Sequence, residues 1–155
     1  MTTIRKAKKK DIPYLNDLLK QVCAVHSQGR PDLFKQNAKK YTNAQLAMLL
    51  ASPNNYIFVA ELNGIVVAYC FCERQNRGGN IFYDKPSLYI DDLCVDQNYR
   101  GQKIGESIFK HVQNFAKENG FYDITLNVWN LNKGAIKFYE KMGLKPLKIV
   151  LEKIL

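Results

Sequence analysis

The spacing of apolar and polar residues divides the chain into short strands and amphipathic helices. Apolar runs, or apolar residues at every second position, predict six strands, at Thr2–Ala7, Tyr56–Glu61, Ile65–Cys72, Leu88–Val95, Ile124–Trp129 and Leu147–Leu151. Apolar residues that recur every three or four positions predict four helices, over residues 12–29, 43–51, 104–119 and 133–142. The predicted order is β-α-α-β-β-β-α-β-α-β, which indicates an α/β domain with a mixed central sheet flanked by helices.

Turn-forming residues support these boundaries. Asn63-Gly64 joins two of the strands and is typical of a two-residue hairpin. The strand that follows, Ile65–Cys72, is apolar at both odd and even positions, so we expect it near the centre of the sheet. Gly120 and Gly143 follow the last two helices, where a left-handed residue commonly ends a helix. The turn chemistry and the apolar pattern therefore agree on where these elements end.

Length and composition indicate a single domain, spanning residues 1–155. The chain is 46% apolar and 24% charged, which is ordinary for a globular protein. Its longest apolar run, residues 65–72, is too short for a membrane span, and the Lys-rich N-terminus lacks the apolar segment of a signal peptide. We therefore predict a cytoplasmic protein. The four cysteines have no metal-ligand spacing and are interpreted as reduced, buried thiols.

A basic turn that contains glycine follows the predicted strand at residues 88–95. Gly101 and Gly105 can adopt a positive φ or let the backbone come close to a ligand, while Arg100 and Lys103 add positive charge. A strand that enters such a turn and continues into a helix points the first helical amides at an anion, and phosphate is the natural guest. The spacing fits neither the P-loop nor the dinucleotide fingerprint. The turn therefore predicts a phosphate site of another kind.

Two motifs resemble those of the GCN5-related N-acetyltransferase (GNAT) family. The first, Q/R-x-x-G-x-G/A after an apolar strand that ends in Val, corresponds to Arg100, Gly101, Gln102, Lys103, Ile104 and Gly105. The second, N-x-x-A-x-x-F/L-Y-x-x-x-G-F, corresponds to Asn132, Ala135, Phe138, Tyr139 and Gly143, with Leu144 in the final position. Lys103 replaces the middle glycine of the first motif. The element order is also that of the family, so the resemblance covers nearly the whole chain.

The resemblance implies acetyl-CoA as co-substrate, bound along the fourth strand, the basic turn and the last helix. Its binding residues would be the six residues of the turn, the main chain at Leu93, Cys94 and Val95, and Asn132 on the pantetheine arm. Tyr139 would protonate the leaving thiolate, and it lies seven residues after Asn132 on nearly the same helix face. Main-chain amides at 93–95 are expected to stabilise the oxyanion that forms on the thioester. No metal site is predicted.

Asp91 and Asp92 interrupt an otherwise apolar strand, although acids are depleted from strands and costly to bury. Since successive strand residues point to opposite faces, we expect one carboxylate to face the cleft and the other to be structural. The stretch YIDDLCV resembles the corresponding strand of spermidine/spermine N-acetyltransferase-like members of the family. That resemblance implies Asp91 as general base, directly or through a water. Alternatively, both acids only pair with lysines or bond backbone amides.

The net charge of +9 keeps more than one class of function open. The preferred interpretation is an N-acetyltransferase that moves an acetyl group from acetyl-CoA to a primary amine of a small molecule or a protein by direct attack. A basic nucleic-acid-binding domain is favoured by the charge, but the aromatic residues lie in core-period positions instead of an exposed stacking row. A non-catalytic acyl-CoA sensor is the third possibility.

Two further segments bear on the acceptor and on assembly. The loop after the first helix, with His26, Arg30, Asp32 and Phe34, would line the acceptor pocket by resemblance, although its residues are also good turn formers. The apolar C-terminal segment offers an exposed edge, from which we expect a homodimer that pairs through the closing strand. Its apolar residues are Ile149, Val150, Leu151, Ile154 and Leu155. A membrane partner is not expected, and nucleic acid is not favoured.

Overall fold

The structure is a computed structural model that describes residues 1–155. It contains five strands, β1 (Thr2–Lys6), β2 (Asn55–Leu62), β3 (Ile65–Gln75), β4 (Ser87–Val95) and β5 (Asp123–Leu126). It contains four α-helices, α1 (Ile12–Gly29), α2 (Asn43–Ala51), α3 (Ile104–Glu118) and α4 (Lys133–Lys141). Single 3-10 turns occur at Lys9–Asp11 and Gln97–Tyr99. None of the four helices combines the length and the apolar character that a membrane crossing needs.

The strands form one sheet in the order β1-β2-β3-β4-β5. The first four strands are antiparallel to their neighbours, whereas β5 runs parallel to β4. A parallel neighbour requires a crossover connection, and α3 supplies it. The predicted class, an α/β domain around a mixed sheet, is confirmed.

Helices cover both faces of the sheet because its central strands are apolar on both sides. On one face, α3 buries Ile108 and Val112 against Phe58 of β2 and Cys70 of β3. On the other face, α1 and α2 bury a second cluster, which includes Leu15, Leu46 and Tyr69. Continuous apolar runs in a strand are expected where both faces are covered, as in β3.

An ion-paired acid fixes the start of α1. Asp11 is buried, accepts a hydrogen bond from the Lys8 amide at 2.7 Å and pairs with Arg5 of β1 at 2.8 Å. Arg5 also pairs with Glu61 of β2 at 2.6 Å, so one guanidinium joins two strands and a helix start.

At the other end of α1, a Cβ on Gly29 would lie 2.9 Å from the Leu131 side chain. The absence of a side chain there lets the segment before α4 approach α1.

The predicted closing strand at residues 147–151 is not formed. The chain after α4 has no helix or strand, and its apolar side chains are largely exposed, with Val150 at 87% and Leu151 at 89%. A strand requires a neighbouring backbone for its hydrogen bonds, and within one chain β5 pairs only with β4. Sequence pattern identified an apolar segment here, but it could not supply a pairing partner.

The last sheet strand is also shorter than predicted, and this shapes the site. The pairing of β4 with β5 ends at Ile90 and Leu126, while β4 itself continues to Val95. The two strands therefore diverge and leave an open cleft between residues 91–95 and the segment after β5.

Candidate functional site

Main-chain amides of β4 face this open cleft. The Asp96 amide donates to the Val67 carbonyl of β3 at 2.8 Å. Successive amides of a strand point to opposite edges, so the amides of Leu93 and Val95 point away from β3. No strand faces them on that side, because β5 has already ended. Leu93 and Val95 thus keep donors free on the cleft side, whereas the amide of Cys94, which the sequence also predicted as a donor, points to β3.

The basic turn joins the end of β4 to α3 at the mouth of the cleft. Gly101 has a φ of +80°, and Lys103, the N-cap of α3, has a φ of +59°. No side chain caps the first turn of α3, whose first backbone bond runs from the Ser107 amide to the Lys103 carbonyl at 3.0 Å. The amides before Ser107 are therefore available to an anion at the positive end of the helix dipole.

Lys103 stands where the resembled motif has glycine, and its left-handed backbone shows why glycine suits this position. Its left-handed backbone costs a residue with a side chain about 1–2 kcal/mol, a cost that glycine avoids. The chain nevertheless keeps the conformation, so the amide of the following residue keeps its direction. The Lys103 ammonium adds a charge that glycine lacks, beside the helix start where an anion would bind.

The rest of the turn is held by packing and by one backbone contact. Ile104 is only 4% exposed and anchors the start of α3 in the core. A Cβ on Gly105 would lie 3.4 Å from the Phe138 ring and 3.5 Å from Val95. A Cβ would therefore fit in ordinary contact at Gly105, whereas a bulkier side chain would meet Phe138 and Val95 and disturb the fold as well as a ligand. Arg100 donates from Nε to the Val95 carbonyl at 3.3 Å, and Gln102 is exposed.

Helix α4 brings the second motif to the same cleft. The Asn132 side chain accepts a hydrogen bond from the Ala135 amide at 3.1 Å and thereby caps α4. Its Nδ2 remains available as a donor. Tyr139 packs against Phe138, with ring centroids 5.2 Å apart. Burial raises the pKa of Tyr139 above its usual value, with a further contribution from Cys70 and Asp92 nearby.

A β-bulge places Asp91 and Asp92 on the same face of the sheet. In the register of β3 with β4, Phe71 faces Asp92 and Cys72 faces Ile90, so Asp91 has no partner. Ile90 and Leu93 both pack on the α3 face, three residues apart, and the two acids bond residues of the α1–α2 face. The expectation that they point to opposite faces is wrong, because the extra residue of a bulge interrupts the alternation.

Asp91 is held by two side chains of the loop that joins α1 to α2. The Lys40 ammonium lies 2.7 Å from Oδ1, and the Tyr41 hydroxyl donates to Oδ2 at 2.5 Å. Tyr41 in turn stacks on Phe71 of β3, with ring centroids 5.8 Å apart. Both carboxylate oxygens are therefore engaged. For Asp91, the structure therefore agrees with the alternative interpretation, in which the acid pairs with a lysine.

Asp92 has a different environment. Its Oδ2 accepts a hydrogen bond at 2.5 Å from the hydroxyl of Tyr69, which is fully buried under α1. Burial raises the pKa of Asp92 to about 6, against the Tyr69 hydrogen bond and the Lys40 charge, which both lower it. A carboxyl group with such a pKa is ionised at neutral pH yet basic enough to accept a proton.

Cys94 is buried and has no activating neighbour. Its thiol lies 3.7 Å from the Leu18 carbonyl, and burial raises its pKa to about 12. A thiol with that pKa is not a nucleophile at neutral pH. Cys94 is therefore a buried structural residue of β4 and not a nucleophile of the cleft.

Aromatic residues from three parts of the chain meet at the rim on the α1–α2 face. The Phe34 ring lies 4.9 Å from His26 and 5.0 Å from Trp129, measured between ring centroids. Burial, followed by the Lys40 charge, lowers the pKa of His26. Arg30 lies apart from this cluster and pairs with Asp32 at 2.8 Å and with Glu152 at 2.9 Å. Of the four residues that the sequence placed in the loop, His26 in fact belongs to α1, and it joins the rim together with Phe34.

Four site residues gave no signal in the sequence. Lys40, Tyr41 and Tyr69 hold the two acids, and Trp129 completes the aromatic rim. Tyr41 lies 50 residues from Asp91 and Tyr69 lies 23 residues from Asp92. A buried Tyr and a loop Lys are ordinary residues until the fold brings them to a carboxylate.

Comparison with known proteins agrees with this geometry. The model of the acetyltransferase (GNAT) family matches residues 19–144, which is most of the chain. The chain belongs to the GNAT family. The cleft between β4 and β5, the basic turn and α4 all lie within the matched residues.

Individual relatives support the same assignment. An uncharacterized N-acetyltransferase of Methanocaldococcus jannaschii is 29% identical over 119 residues, covering 77% of this chain and 52% of the relative. The chain thus spans about half the length of that curated relative. The crystal structure of a mutant of the BH1408 protein from Bacillus halodurans has a TM-score of 0.94 at 26% identity, with 99% of each chain covered.

A more distant solved structure shares the fold. An aminoglycoside N-acetyltransferase in complex with CoA has a TM-score of 0.75 at 14% identity, with 99% of this chain and 98% of that chain covered. None of these three proteins is named for a polyamine, and the finer resemblance to spermidine/spermine N-acetyltransferases is minor.

Proposed function

We propose that residues 1–155 act as one acetyltransferase domain that moves the acetyl group of acetyl-CoA to a primary amine by direct attack. The observation that carries this proposal is the divergence of β4 from β5 beside the uncapped start of α3. An open strand edge next to a basic helix terminus suits a ligand that is an extended amide chain at one end and a pyrophosphate at the other. Neither a nucleic-acid surface nor a simple anion site requires an unpaired strand edge together with a basic helix terminus.

The donor side of the cleft would hold the cofactor mainly through the backbone. The first amides of α3, with Arg100 and Lys103, would bind the pyrophosphate, and the amides of Leu93 and Val95 would bind the pantetheine arm and the thioester oxygen. The Nδ2 of Asn132 faces the same ligand in this scheme. When bound, acetyl-CoA supplies an activated acyl group that an amine can take directly.

The acid pair would accept the proton of the attacking amine. Asp91 is the residue that sequence resemblance implies, and that assignment stays a prediction. The geometry favours Asp92, because its pKa of about 6 suits a base at neutral pH and no cation pairs with it directly. An amine with a pKa near 10 is only about one part in a thousand free base at pH 7. A positioned base would therefore speed the reaction by removing the proton of the ammonium.

Tyr139 would donate its hydroxyl hydrogen to the leaving sulfur. Its raised pKa keeps the phenol neutral at any physiological pH. Because an ordinary thiol has a pKa near 8.5, complete proton transfer from this phenol to the thiolate is uphill. We therefore assign Tyr139 as a hydrogen-bond donor that stabilises the developing thiolate, with the proton delivered fully only as the product leaves.

A titration followed by an acceptor screen tests the activity. Acetyl-CoA should raise the unfolding temperature saturably, whereas duplex DNA and RNA should not, and amines, amino acids or peptides should then release free thiol. Stabilisation without thiol release for any amine would favour the acyl-CoA sensor, and stabilisation by nucleic acid alone would favour the binding domain. The same screen identifies the acceptor, and a cytoplasmic location stays a prediction.

A homodimer that uses the closing segment remains part of the proposal. Six apolar residues after α4 are more than 60% exposed: Leu147, Ile149, Val150, Leu151, Ile154 and Leu155. Exposed apolar residues in a row, without a strand partner, are what a second copy could cover. Val150→Asp should convert a dimeric mass in solution to a monomeric one. A monomeric mass for the unaltered protein at high concentration would exclude this assembly.

A further inference from the structure

An amino group of the chain itself already stands at the acid pair. Lys40 extends from the loop between α1 and α2, and its Nζ lies 2.7 Å from Asp91 Oδ1. Asp91 is the bulged residue of β4, next to Asp92 and on the same face of the sheet. In the proposed reaction, this is the face from which the acceptor amine would approach.

The Lys40 side chain reaches the acid pair from the solvent side. It is 46% exposed, and its residue belongs to no helix or strand. One residue of β4, Asp92, separates Asp91 from Leu93, and two residue steps along a strand span about 7 Å. That distance is comparable with the length of a lysine side chain, so Nζ would swing by about the length of its own side chain to pass from the acid to the thioester position proposed at Leu93.

The neighbouring lysine has a different environment and provides a built-in control. Lys39 Nζ lies 2.7 Å from Asn16 Oδ1 and 3.2 Å from Asn43 Oδ1. These contacts hold it against α1 and the start of α2, away from the acid pair. Two adjacent residues of the same type thus differ only in where the fold puts their amino groups.

We propose that Lys40 is a self-acetylation site, which takes its acetyl group from acetyl-CoA bound in the cleft of the same molecule. This inference rests on the proposed function. In the step, the Lys40 ammonium gives one proton to the acid pair, and its nitrogen attacks the thioester carbonyl. A C–N bond forms and the C–S bond breaks. The nitrogen then loses its second proton, which the leaving thiolate takes. The products are Nε-acetylated Lys40 and CoA, and no other reactant is needed.

Acetylation would change the acceptor side of the cleft. The acetylated lysine carries no charge, so Asp91 would keep only its hydrogen bond from Tyr41. A cationic acceptor could then pair with Asp91 in place of Lys40. The unmodified lysine, by contrast, would compete with such an acceptor for the same carboxylate.

The test follows acetylation of the full-length protein by acetyl-CoA without any acceptor. Chymotrypsin cleaves after Phe34 and Tyr41, so one peptide, residues 35–41, contains Lys35, Lys39 and Lys40. Tandem mass spectrometry of this peptide gives the acetylation rate of each lysine. We expect Lys40 to react at least ~10-fold faster than Lys39, because a positioned amine reacts at a high effective concentration. In guanidinium the difference should vanish.

Variants separate an enzymatic from a chemical reaction. Lys40→Arg keeps a cation on Asp91 and should abolish the fast phase, while Lys39→Arg should leave it. Tyr139→Phe should slow acetylation of Lys40 without affecting Lys39. Equal rates at Lys39 and Lys40 in the folded protein would overturn the proposal. So would a rate constant that rises in proportion to protein concentration, because that would place the transfer between molecules.

Failure of this inference can be told apart from failure of the proposed function. If acetyl-CoA stabilises the protein and an added amine is acetylated, but Lys40 reacts no faster than Lys39, only the self-acetylation is wrong. If acetyl-CoA does not raise the unfolding temperature, the cofactor site and the self-acetylation are both wrong.

Discussion

The donor side and the acceptor side of the cleft are built from different kinds of groups. On the donor side, the groups available to a ligand are main-chain amides, at the start of α3 and along β4. On the acceptor side they are side chains, with Asp91 held by Lys40 and Tyr41 and Asp92 held by Tyr69. Backbone donors suit a ligand that every family member shares, whereas side chains can differ between members without disturbing the fold.

The two acids sharpen this contrast within the acceptor side. They are adjacent in sequence and share a face because of one bulge, yet a cation pairs with only one of them. Asp91 is engaged at both oxygens, and Asp92 is half-buried and accepts a hydrogen bond from a neutral phenol. The surrounding fold therefore gives two neighbouring aspartates different hydrogen-bond partners and different charge environments. Substituting each aspartate separately tests which one acts in the reaction.

The largest expected effect is on the rate after Asp92→Asn. We expect kcat/KM at pH 7 to fall by about 10³-fold, since general-base catalysis contributes 10²–10⁴-fold. The wild type should lose activity as pH falls through about 6, the pKa of Asp92, because the base becomes protonated. The variant should lack this inflection, which a pH profile of kcat/KM would reveal.

Asp91→Asn is the matched control for that measurement. It removes the charge that binds Lys40 but leaves Asp92, so we expect a fall of only about tenfold, the size of one lost ion-pair contact. A larger loss for Asp91→Asn than for Asp92→Asn would reverse the assignment. It would restore Asp91 as the base, as the sequence resemblance implies.

The next effect concerns the donor side, through Tyr139→Phe. The ring and its contact with Phe138 are kept, while the hydroxyl that we propose as the hydrogen-bond donor to the leaving sulfur is lost. We expect kcat to fall by about 10²-fold and the affinity for acetyl-CoA to stay within about twofold. Steady-state kinetics and calorimetric titration measure the two quantities. An unchanged kcat would remove Tyr139 from the mechanism.

Asp92→Asn should also stabilise the fold at neutral pH. The folded-state pKa of about 6 lies above the usual value of 3.8, so the folded protein binds more protons than the unfolded chain between these pH values. Stability then falls as pH rises through this window. Removing this poorly solvated charge should add about 3 kcal/mol to the free energy of unfolding at pH 8, and much less at pH 4. Urea unfolding at both pH values tests this, with a decrease at pH 8 as the contrary result.

The smallest effect is expected for Lys103→Gly. Glycine relieves the left-handed backbone but loses the ammonium beside the phosphate site. We expect the Kd for CoA to rise about threefold at low salt, as for the loss of one exposed charge contact, and the difference to disappear at high salt. The unfolding free energy should change by less than about 1 kcal/mol. A weaker affinity that persists at high salt would mean that the side chain acts through the backbone.

Sequence by itself determined most of the elements and the turn that we propose for the donor side. The helices at 12–29 and 43–51 were predicted with the observed bounds, because their apolar spacing and flanking turn residues are local signals. The turn at 100–105 was predicted for the same reason: its glycines, charges and following helix lie within a few residues of one another. The placement of Asn132 and Tyr139 on nearly the same face of the last helix was also predicted from short-range geometry, whereas the helix cap at Asn132 became visible only in the structure.

Only the tertiary structure decided the acceptor side and the end of the chain. The bulge at Asp91 depends on how β3 pairs with β4, so alternation along β4 alone gave the wrong faces. The partners of the two acids come from β3 and from the loop before α2, and no local pattern marks a tyrosine that lies far away in sequence. The segment 147–151 has the composition of a strand but no neighbouring backbone in the chain, and strand formation requires that neighbour.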